Sequence, residues 1–369
     1  MKNIKFSKPN ISQKDLSLVK KIIKSGWLTH GKFTELFEKK FKNFTNSKYA
    51  ITVSSCTAAL HLSCLASGFK KGDEVIVPSQ SHTATAHAVE YTGAKVIFSE
   101  IENGTGNITL NYIKKKITKK TKGVIVVHMA GFPCEIEKIS AFCKKNKIIL
   151  IEDCAHGLGT YGKSKHVGNY GVSGCFSFYP TKQITTGEGG MLITNSKDFF
   201  NKAKKLKAFG IDKDIKDRKK PGDYDVRFLG YNYRMTDFQA ALGLQQIKRY
   251  KKNLSRRHQI VKRYINNLSK LKEISFMPYS KKASFFVFQI FSSKRDIIIN
   301  EFKKKGIGVS IHYLNPIHKM TYYKNKYNLG NINLKNTIEY SKKSLSLPVY
   351  PKLKFSEIDF ITQTIKRII

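Results

Sequence analysis

From residue 50 the chain alternates short apolar runs, rich in β-branched residues, with stretches of helical periodicity. This alternation is typical of α/β architecture. Several runs are apolar throughout, as expected where helices cover both faces of a sheet. We predict one seven-stranded sheet, with strands at 50–54, 74–79, 95–100, 123–129, 147–153, 174–180 and 189–195. Helices are predicted near 57–68, 82–92, 110–117 and 135–145.

After residue 196 the pattern changes to long, lysine-rich helical stretches and a charged loop over 210–225. A helical pattern runs from about Thr236 to Leu271, without a Pro-rich linker, and predicts a rigid connection between two domains. The remaining pattern predicts a smaller α+β unit, with apolar runs at 285–291 and 308–313 and helices at 296–305 and after Phe355. We therefore predict a large domain over 1–245 and a small C-terminal domain over 246–369.

The composition excludes a disordered chain and a small disulfide-bonded domain. The 369 residues are 41% hydrophobic and include 24 Phe and 18 Tyr, enough to fill a sizeable core. The six cysteines have irregular spacing and no CxxC pair, which favours a reduced, cytoplasmic setting. No apolar run approaches the roughly 18–20 residues of a membrane span, so we expect a soluble protein without a membrane partner.

The formal net charge of +41 has two interpretations. It could attract anionic partners, and a nucleic-acid-binding protein is the alternative function of a different class. The lysine runs at 114–120 and 302–306 instead fall in amphipathic segments, which is typical of solvated helix faces. This second interpretation makes nucleic acid an unlikely partner.

Three local patterns indicate chemistry. The first is SSCTAALH (54–61), a turn of small residues between a strand and a helix. Amides at a helix N-terminus suit a phosphate, although a Ser or Thr in this position is also an ordinary helix cap.

The second pattern is Asp153, at the end of a buried strand, where open α/β sheets bind their ligands. A carboxylate in such an interior stays ionised only beside a cationic partner. The alternative is a carboxylate that caps the next helix.

The third pattern is Lys182, in a loop between two apolar strands that is followed by the glycine-rich turn 187–190. A desolvated lysine has a lowered pKa and can form Schiff bases. A solvated loop lysine is the alternative.

A phosphate-binding turn, a strand-end acid and a loop lysine, in this order, are what a pyridoxal phosphate (PLP) enzyme needs. The chain resembles the DegT/DnrJ/EryC1/StrS sugar aminotransferases over nearly its whole length. The matching segments are SGWLTHGKFTELFEKKF (25–41), SSCTAALHL (54–62), GDEVIVPSQSHTATAHAV (72–89), YTGAK (91–95), VIVVHMAGFPCEI (124–136), IEDCAHGLGT (151–160), FSFYPTKQITTGEGGM (176–191), LGYNYRMTDFQAALGLQQI (229–247), GIGVSIHYLNPIH (306–318) and LSLPVYP (345–351).

This resemblance implies a fold-type I PLP-dependent transferase, with a mostly parallel seven-stranded sheet in the large domain and a smaller C-terminal α+β domain. It also implies that Lys182 binds PLP through a Schiff base and that Asp153 pairs with the pyridine nitrogen. Thr57, Ala58 and Ser177 are expected to hold the phosphate, and His156 to lie beside the ring hydroxyl.

The family further implies a homodimer with shared active sites, in which Asn232 reaches the phosphate of the partner subunit. His82 occupies the position of the residue that stacks on the pyridine ring, where the family commonly has Phe, Tyr or Trp. Cys56 replaces a frequent glycine before Thr57. A related branch that carries out 3-dehydration of sugars has histidine in place of the Schiff-base lysine, so Lys182 indicates transamination.

For the substrates, the resemblance implies L-glutamate as amino donor and a nucleotide-linked 4-keto-6-deoxyhexose as acceptor, for an aminosugar of a surface glycan. A small phosphorylated ketone or a cyclitol ketone is the alternative acceptor. Arg234, His312 and Tyr313 are the candidate substrate-binding residues, and a core ion pair is the alternative role for Arg234.

Overall fold

The structure is a computed structural model that describes residues 3–29, 31–213 and 217–369. Its central feature is a seven-stranded sheet with the order β1-β7-β6-β5-β4-β2-β3. The strands are β1 Tyr49–Val53, β2 Glu74–Pro78, β3 Lys95–Ser99, β4 Thr121–Val127, β5 Ile149–Asp153, β6 Ser173–Ser177 and β7 Gly190–Thr194.

Five neighbouring strands pair in parallel, in the order β6, β5, β4, β2 and β3. Strand β7 is antiparallel to both of its neighbours, β6 and β1. All seven predicted strands are therefore confirmed in one mostly parallel sheet. Helices cover both faces, which explains the continuous apolar runs. Those of the N-terminal part are α1 Gln13–Ser25, α2 Lys32–Thr45, α3 Cys56–Ala66, α4 Thr83–Glu90, α5 Leu110–Lys114, α6 Ile136–Lys145 and α7 Lys197–Lys207.

The long helix α8, Asp237–Leu268, connects two hydrophobic cores. Thr236 and Gln239 form a capping box at its start. Its first half packs Leu244 and Tyr250 beneath the large sheet, and its second half packs Tyr264 and Leu268 into the C-terminal core. The same helix thus belongs to both cores, and the boundary at residue 245 stays a prediction.

A three-stranded antiparallel sheet with the order β10-β9-β8 lies in the C-terminal part. Its strands are β8 Ser275–Phe276, β9 Phe288–Phe291 and β10 Ser344–Leu347, and the helices there are α9 Arg295–Lys304, α10 Thr321–Lys326, α11 Lys335–Lys343 and α12 Phe355–Lys366. The apolar run 308–313 forms no strand: Ile307 bridges Ile4, Ser310 bridges Ser346, and the change of partner prevents a continuous ladder.

Within the described part of the chain, no helix combines the length and the hydropathy that a membrane crossing requires.

Candidate active site

Asp153 ends β5, in the middle of the sheet, and its side chain is only 4% exposed. Thr85 Oγ1 donates to Asp153 Oδ2 at 2.8 Å, and the Ala155 amide donates to Oδ1 at 3.0 Å. The Cys56 thiol lies 4.0 Å from Oδ1. Burial raises the pKa of Asp153, and these donors and the charge of Lys182 only partly oppose it. The site therefore holds a buried carboxyl group that a nearby cation would stabilise in its ionised form.

Lys182 lies in the turn between β6 and β7. Its Nζ is 4.4 Å from the ring centroid of Phe286, which approaches from the C-terminal part of the chain. Burial lowers the pKa of Lys182 to about 8, although an ionised Asp153 opposes the shift. A substantial fraction of the amine is therefore neutral, and nucleophilic, near neutral pH.

His156 is buried behind this lysine and stacks on Phe286, with ring centroids 4.2 Å apart. The Ala130 amide donates to His156 Nδ1 at 3.3 Å, so the neutral ring carries its proton on Nε2. That nitrogen lies 3.4 Å from the Tyr313 hydroxyl. Burial lowers the pKa of His156 well below its ordinary value. The side chain is thus a neutral donor aimed toward Tyr313.

Three further predicted residues lie in the same cluster. His82 caps α4, with its Nδ1 accepting from the Ala84 amide at 3.2 Å, and its ring meets that of Tyr313 edge-on at 5.9 Å. His312 is buried, and its Nδ1 forms a hydrogen bond with Ser346 Oγ at 2.9 Å. Burial lowers the pKa of His312 to about 3. The charge of Lys182 further lowers the pKa of both histidines.

The start of α3 lies at the same end of the sheet. Gly190 pairs with Val53 on one side and with Ser177 on the other. A Cβ on Gly190 would lie 2.5 Å from the carbonyl carbon of Ser55, so only glycine allows β7 to approach the helix start this closely. These pairings bring the predicted phosphate residue Ser177 and the start of α3, which carries Thr57, to the same end of the sheet.

Not every amide at the start of α3 is available to bind a phosphate. The Ala58 amide donates to Ser55 Oγ at 3.1 Å, which is the ordinary capping interaction. The amides of Cys56 and Thr57 precede the first hydrogen bond of the helix. Thr57, with its amide and its hydroxyl, is consequently better arranged than Ala58 to hold an anion.

Asn232 and Arg234 lie on the segment that precedes α8. The exposed Asn232 side chain accepts a hydrogen bond from Arg234 Nε at 3.0 Å. Arg234 lines a cavity of about 880 Å³ between the end of α7 and the loop after it. The structure thus groups His82, His156, His312 and Tyr313 with Lys182, whereas Asn232 is exposed and Arg234 lines the cavity beside α7.

Sequence reasoning missed Thr85 and Phe286. Thr85 follows His82 by three residues on α4, and a helical turn brings it under the Asp153 carboxylate. That spacing could have identified it. Phe286 is more than one hundred residues from Lys182, and nothing local in an apolar run distinguishes it.

Glu152, the residue before Asp153, has a structural role. Glu152 is fully buried and accepts from the amides of Gly168, Tyr170 and Gly171 at 2.7–2.8 Å. His128 Nε2 lies 3.1 Å from the same carboxylate. Its oxygens are therefore engaged in holding the chain that leads into β6, which is a structural role on the opposite face of the strand.

These residues fit PLP. The buried Asp153 carboxyl, whose hydrogen-bond donors are neutral, suits a protonated pyridine nitrogen, and the amides of Cys56 and Thr57 at the start of α3 suit the phosphate. Lys182, with its pKa lowered to about 8, suits covalent attachment to the aldehyde.

The chain is similar to known proteins in sequence and in fold. The sequence model of the DegT/DnrJ/EryC1/StrS aminotransferase family matches residues 9–366. GDP-perosamine synthase of Escherichia coli O157:H7 is 34% identical, over 99% of this chain and 98% of its own, and the spore coat polysaccharide biosynthesis protein SpsC of Bacillus subtilis is 32% identical, over 99% and 96%. The structure of a putative sugar aminotransferase, Spr1654 of Streptococcus pneumoniae, in its PMP form, superposes with a TM-score of 0.92 at 28% identity, covering 99% of both chains.

A family match across nearly the whole chain, joined to a buried acid and a desolvated lysine at one end of the sheet, leaves one conclusion. The chain belongs to the DegT/DnrJ/EryC1/StrS aminotransferase family and is a PLP-dependent aminotransferase of fold-type I.

Proposed function

We propose that this aminotransferase moves the amino group of L-glutamate to the ketone of a nucleotide-linked keto-deoxysugar, and that the aminosugar enters a surface glycan. The products of the two half-reactions are 2-oxoglutarate and the amino sugar. The observation that carries the proposal is the buried Asp153 beside the desolvated Lys182. The similarity to GDP-perosamine synthase and SpsC supports the choice of a nucleotide-linked sugar and of a polysaccharide product.

When bound, PLP supplies an electron sink that stabilises the negative charge left on a carbon after its proton departs. Lys182 Nζ takes that proton from the α-carbon of the amino acid. In the second half-reaction Lys182 gives a proton to the sugar carbon that gains the amino group. A pKa of about 8 suits both directions, because neither protonation state of the amine is strongly disfavoured near neutral pH.

The other side chains orient and hold the cofactor. Asp153, held by Thr85 and Ala155, provides the negative charge for the pyridine nitrogen. Thr57 and Ser177 bind the phosphate, with Ala58 contributing through the helix start. His156 donates from Nε2 toward the ring hydroxyl, and His82 covers the open face of the ring.

The active sites are shared in a homodimer, and Asn232 binds the phosphate of the partner subunit. Support comes from large apolar side chains that are exposed near this part of the chain: Val226 at 52% and Leu229 at 80% precede Asn232, and Trp27 at 60% lies near the start of α8. Exposed apolar side chains of this size are typical of a protein interface. In a C2 dimer each of them would be buried twice, once from each chain.

We further propose that the enzyme works in the cytoplasm. All six cysteines are free and buried in the described chain, as expected for a protein of a reducing compartment.

The test of the proposed reaction is the visible absorbance of the purified holoenzyme. L-glutamate should convert the absorbance of the lysine-bound cofactor to that of its amine form, and a nucleotide-linked 4-ketosugar should reverse the change. Lys182→Ala is the control and should give no catalytic conversion. An absorbance that L-glutamate and other amino acids leave unchanged would contradict the proposed function.

A further inference from the structure

The aromatic ring of Phe286 contacts the amine that carries the chemistry. Lys182 Nζ lies over the face of this ring, 4.4 Å from its centroid, which is inside the roughly 6 Å within which an aromatic face attracts a cation. Phe286 is only 2% exposed. Among the residues that the structure describes, Nζ forms no ion pair with a carboxylate. The aromatic face is therefore in direct contact with the charge that Nζ carries when it is protonated.

Two histidines fix the position of the Phe286 ring. His156 stacks on it, with ring centroids 4.2 Å apart and ring planes 18° from parallel. His312 meets it nearly at a right angle, with centroids 5.5 Å apart. Burial lowers the pKa of both histidines, so both rings are neutral near neutral pH. They therefore support the aromatic ring without placing a second positive charge beside Nζ.

The backbone around Phe286 is anchored as well. Its carbonyl accepts a hydrogen bond at 3.2 Å from Arg257, a guanidinium on α8 that is only 2% exposed. Two residues earlier, Ser284 Oγ accepts from Gln183 Nε2 at 3.1 Å. Gln183 directly follows Lys182, so the two partners of the contact are tied together through their neighbours.

The proposed reaction requires Lys182 to carry a charge inside this pocket. In the donor half-reaction Nζ takes a proton from the α-carbon, and the bonding electron pair stays on that carbon. The amine becomes an ammonium, and it becomes an amine again when the proton is handed on. An ammonium in a desolvated pocket is costly unless a partner compensates for the lost water. Asp153 is not that partner, since its charge is assigned to the pyridine nitrogen.

An aromatic face suits this task better than a carboxylate. It attracts the ammonium through the negative charge above the ring plane, and it has no atom that takes the proton. The proton therefore stays on Nζ and remains available for the next transfer.

We propose that Phe286 is a further catalytic residue, whose ring face holds the Lys182 ammonium while this lysine is detached from the cofactor and carries the proton. The inference rests on the proposed function and deepens it, because it assigns a place to the lysine that this function sets free. It does not depend on the identity of the sugar.

Other titratable groups around Nζ form the background of a test by pH. They are Cys56, Asp153, His82, His156, His312 and Tyr313. Burial raises the pKa of the thiol and of the phenol, and it lowers the pKa of the three imidazoles. These five groups are therefore neutral where Lys182 titrates, and Asp153 is the same in every variant below.

The experiment measures how fast PLP attaches to the full-length apoenzyme, at fixed PLP concentration and as a function of pH. Attachment needs the neutral amine, so the midpoint of the profile reports the pKa of Lys182. Phe286→Leu keeps the pocket apolar but removes the aromatic face. The ammonium then loses its partner, and the midpoint should fall by roughly half a pH unit or more. Phe286→Tyr keeps an aromatic face and should stay near the parent value.

Two further variants separate attraction by the ring from simple burial. A fluorinated phenylalanine at position 286 keeps the shape but withdraws electrons from the ring face, so the midpoint should again fall. Phe286→Ala admits water beside Nζ, and the midpoint should rise toward the ordinary lysine pKa of about 10.4. A midpoint that Phe286→Leu and the fluorinated ring leave at the parent value would show that Phe286 only excludes water, and it would overturn the inference.

Phe291→Leu is the matched control. Phe291 belongs to the same apolar cluster as Phe286, but it packs against Tyr340, with ring centroids 5.0 Å apart, and not against Lys182. Loss of this ring costs the cluster a similar packing contact and should leave the midpoint unchanged. A fall equal to that of Phe286→Leu would mean that packing, and not the ring face, sets the charge of Lys182, which would also overturn the inference.

Activity separates this inference from the proposed function. In the holoenzyme, Phe286→Leu should lower kcat with L-glutamate by roughly threefold or more, with KM nearly unchanged, because the charged form of Lys182 is reached less easily. A parent enzyme whose absorbance does not respond to L-glutamate would overturn the proposed function, whereas the midpoints, which need only PLP, would still decide the role of the ring. A parent that responds, joined to a Phe286→Leu midpoint equal to its own, would overturn the role of Phe286 alone.

Discussion

The pocket around Lys182 and the cavity lined by Arg234 differ in the charge of their side chains. In the pocket, burial raises the pKa of Asp153 and lowers that of Lys182 to about 8, so a neutral amine is available for proton transfer near neutral pH. In the cavity, the lining contains more basic than acidic side chains, and these bases stay partly exposed. The fold thus suppresses the charge of the pocket residues and leaves the charged side chains of the cavity in contact with solvent.

The low charge of the pocket has a consequence for variants. Changes in the pocket should lower kcat for both half-reactions, because the same lysine moves the proton in each.

The largest effect is expected for Lys182→Ala. The substitution removes both the amine that binds the cofactor and the group that moves the proton, so turnover should fall below detection. The predicted phosphate-binding residues at the start of α3 should still retain cofactor, measurable by absorbance after gel filtration. Parental transamination by this variant would mean that the proton is moved by another group.

Asp153→Asn should have the next largest effect. The loss of the negative charge beside the pyridine nitrogen should lower kcat by roughly 10²-fold or more, the scale of lost electrostatic stabilisation in other active sites. Folding should change little, because the amide oxygen can still accept from the Ala155 amide and the NH2 group can donate to the Thr85 hydroxyl, which is able to accept. A kcat equal to that of the parent would mean that Asp153 only caps the chain that follows β5.

Thr85→Val should have a smaller effect. The hydroxyl holds Asp153 Oδ2 at 2.8 Å, and its loss should reduce kcat by roughly tenfold, the scale of one hydrogen bond to a charged group. Thr85→Ser keeps the hydroxyl and should recover most of the rate. If Val and Ser behave alike, Thr85 contributes through packing alone.

The pH dependence of cofactor binding gives the mildest test. Attachment of PLP to the apoenzyme needs the neutral amine of Lys182, so the rate should rise with pH and level off above about 8. A solvated lysine would give a rate that still rises toward its ordinary pKa of about 10.4. The measurement is the appearance of the lysine-bound absorbance at fixed PLP concentration, and a midpoint near the ordinary value would show that Lys182 is not desolvated.

Much of the pocket could be predicted from the sequence because its signals are local. Asp153 ends an apolar strand, and Lys182 lies between two others, so their places follow from the strand pattern. The small-residue turn before α3 was likewise recognisable. The relation of these three segments follows from the parallel sheet, which brings strand ends to one edge.

The remaining features depend on contacts between distant segments. Phe286 reaches Lys182 only because the C-terminal part folds over the sheet, and the cavity exists only because the loop after α7 turns back toward Arg234. The run 308–313 has the composition of a strand, but its neighbours Ile4 and Ser346 come from different segments. The spacing of apolar residues indicates which residues are buried, but it does not indicate which other segment of the chain they contact.

The central claim is that chemistry on one chain is completed by residues of the other, and mixed dimers test it most directly. Lys182→Ala chains are mixed with Asn232→Asp chains, whose added negative charge should repel the phosphate, after each parent alone is shown to be inactive and subunit exchange is demonstrated. In a mixed dimer one site receives both defects and the other receives neither. Random equal pairing should therefore restore about a quarter of parental activity. Exchanged dimers that remain inactive would contradict the shared site.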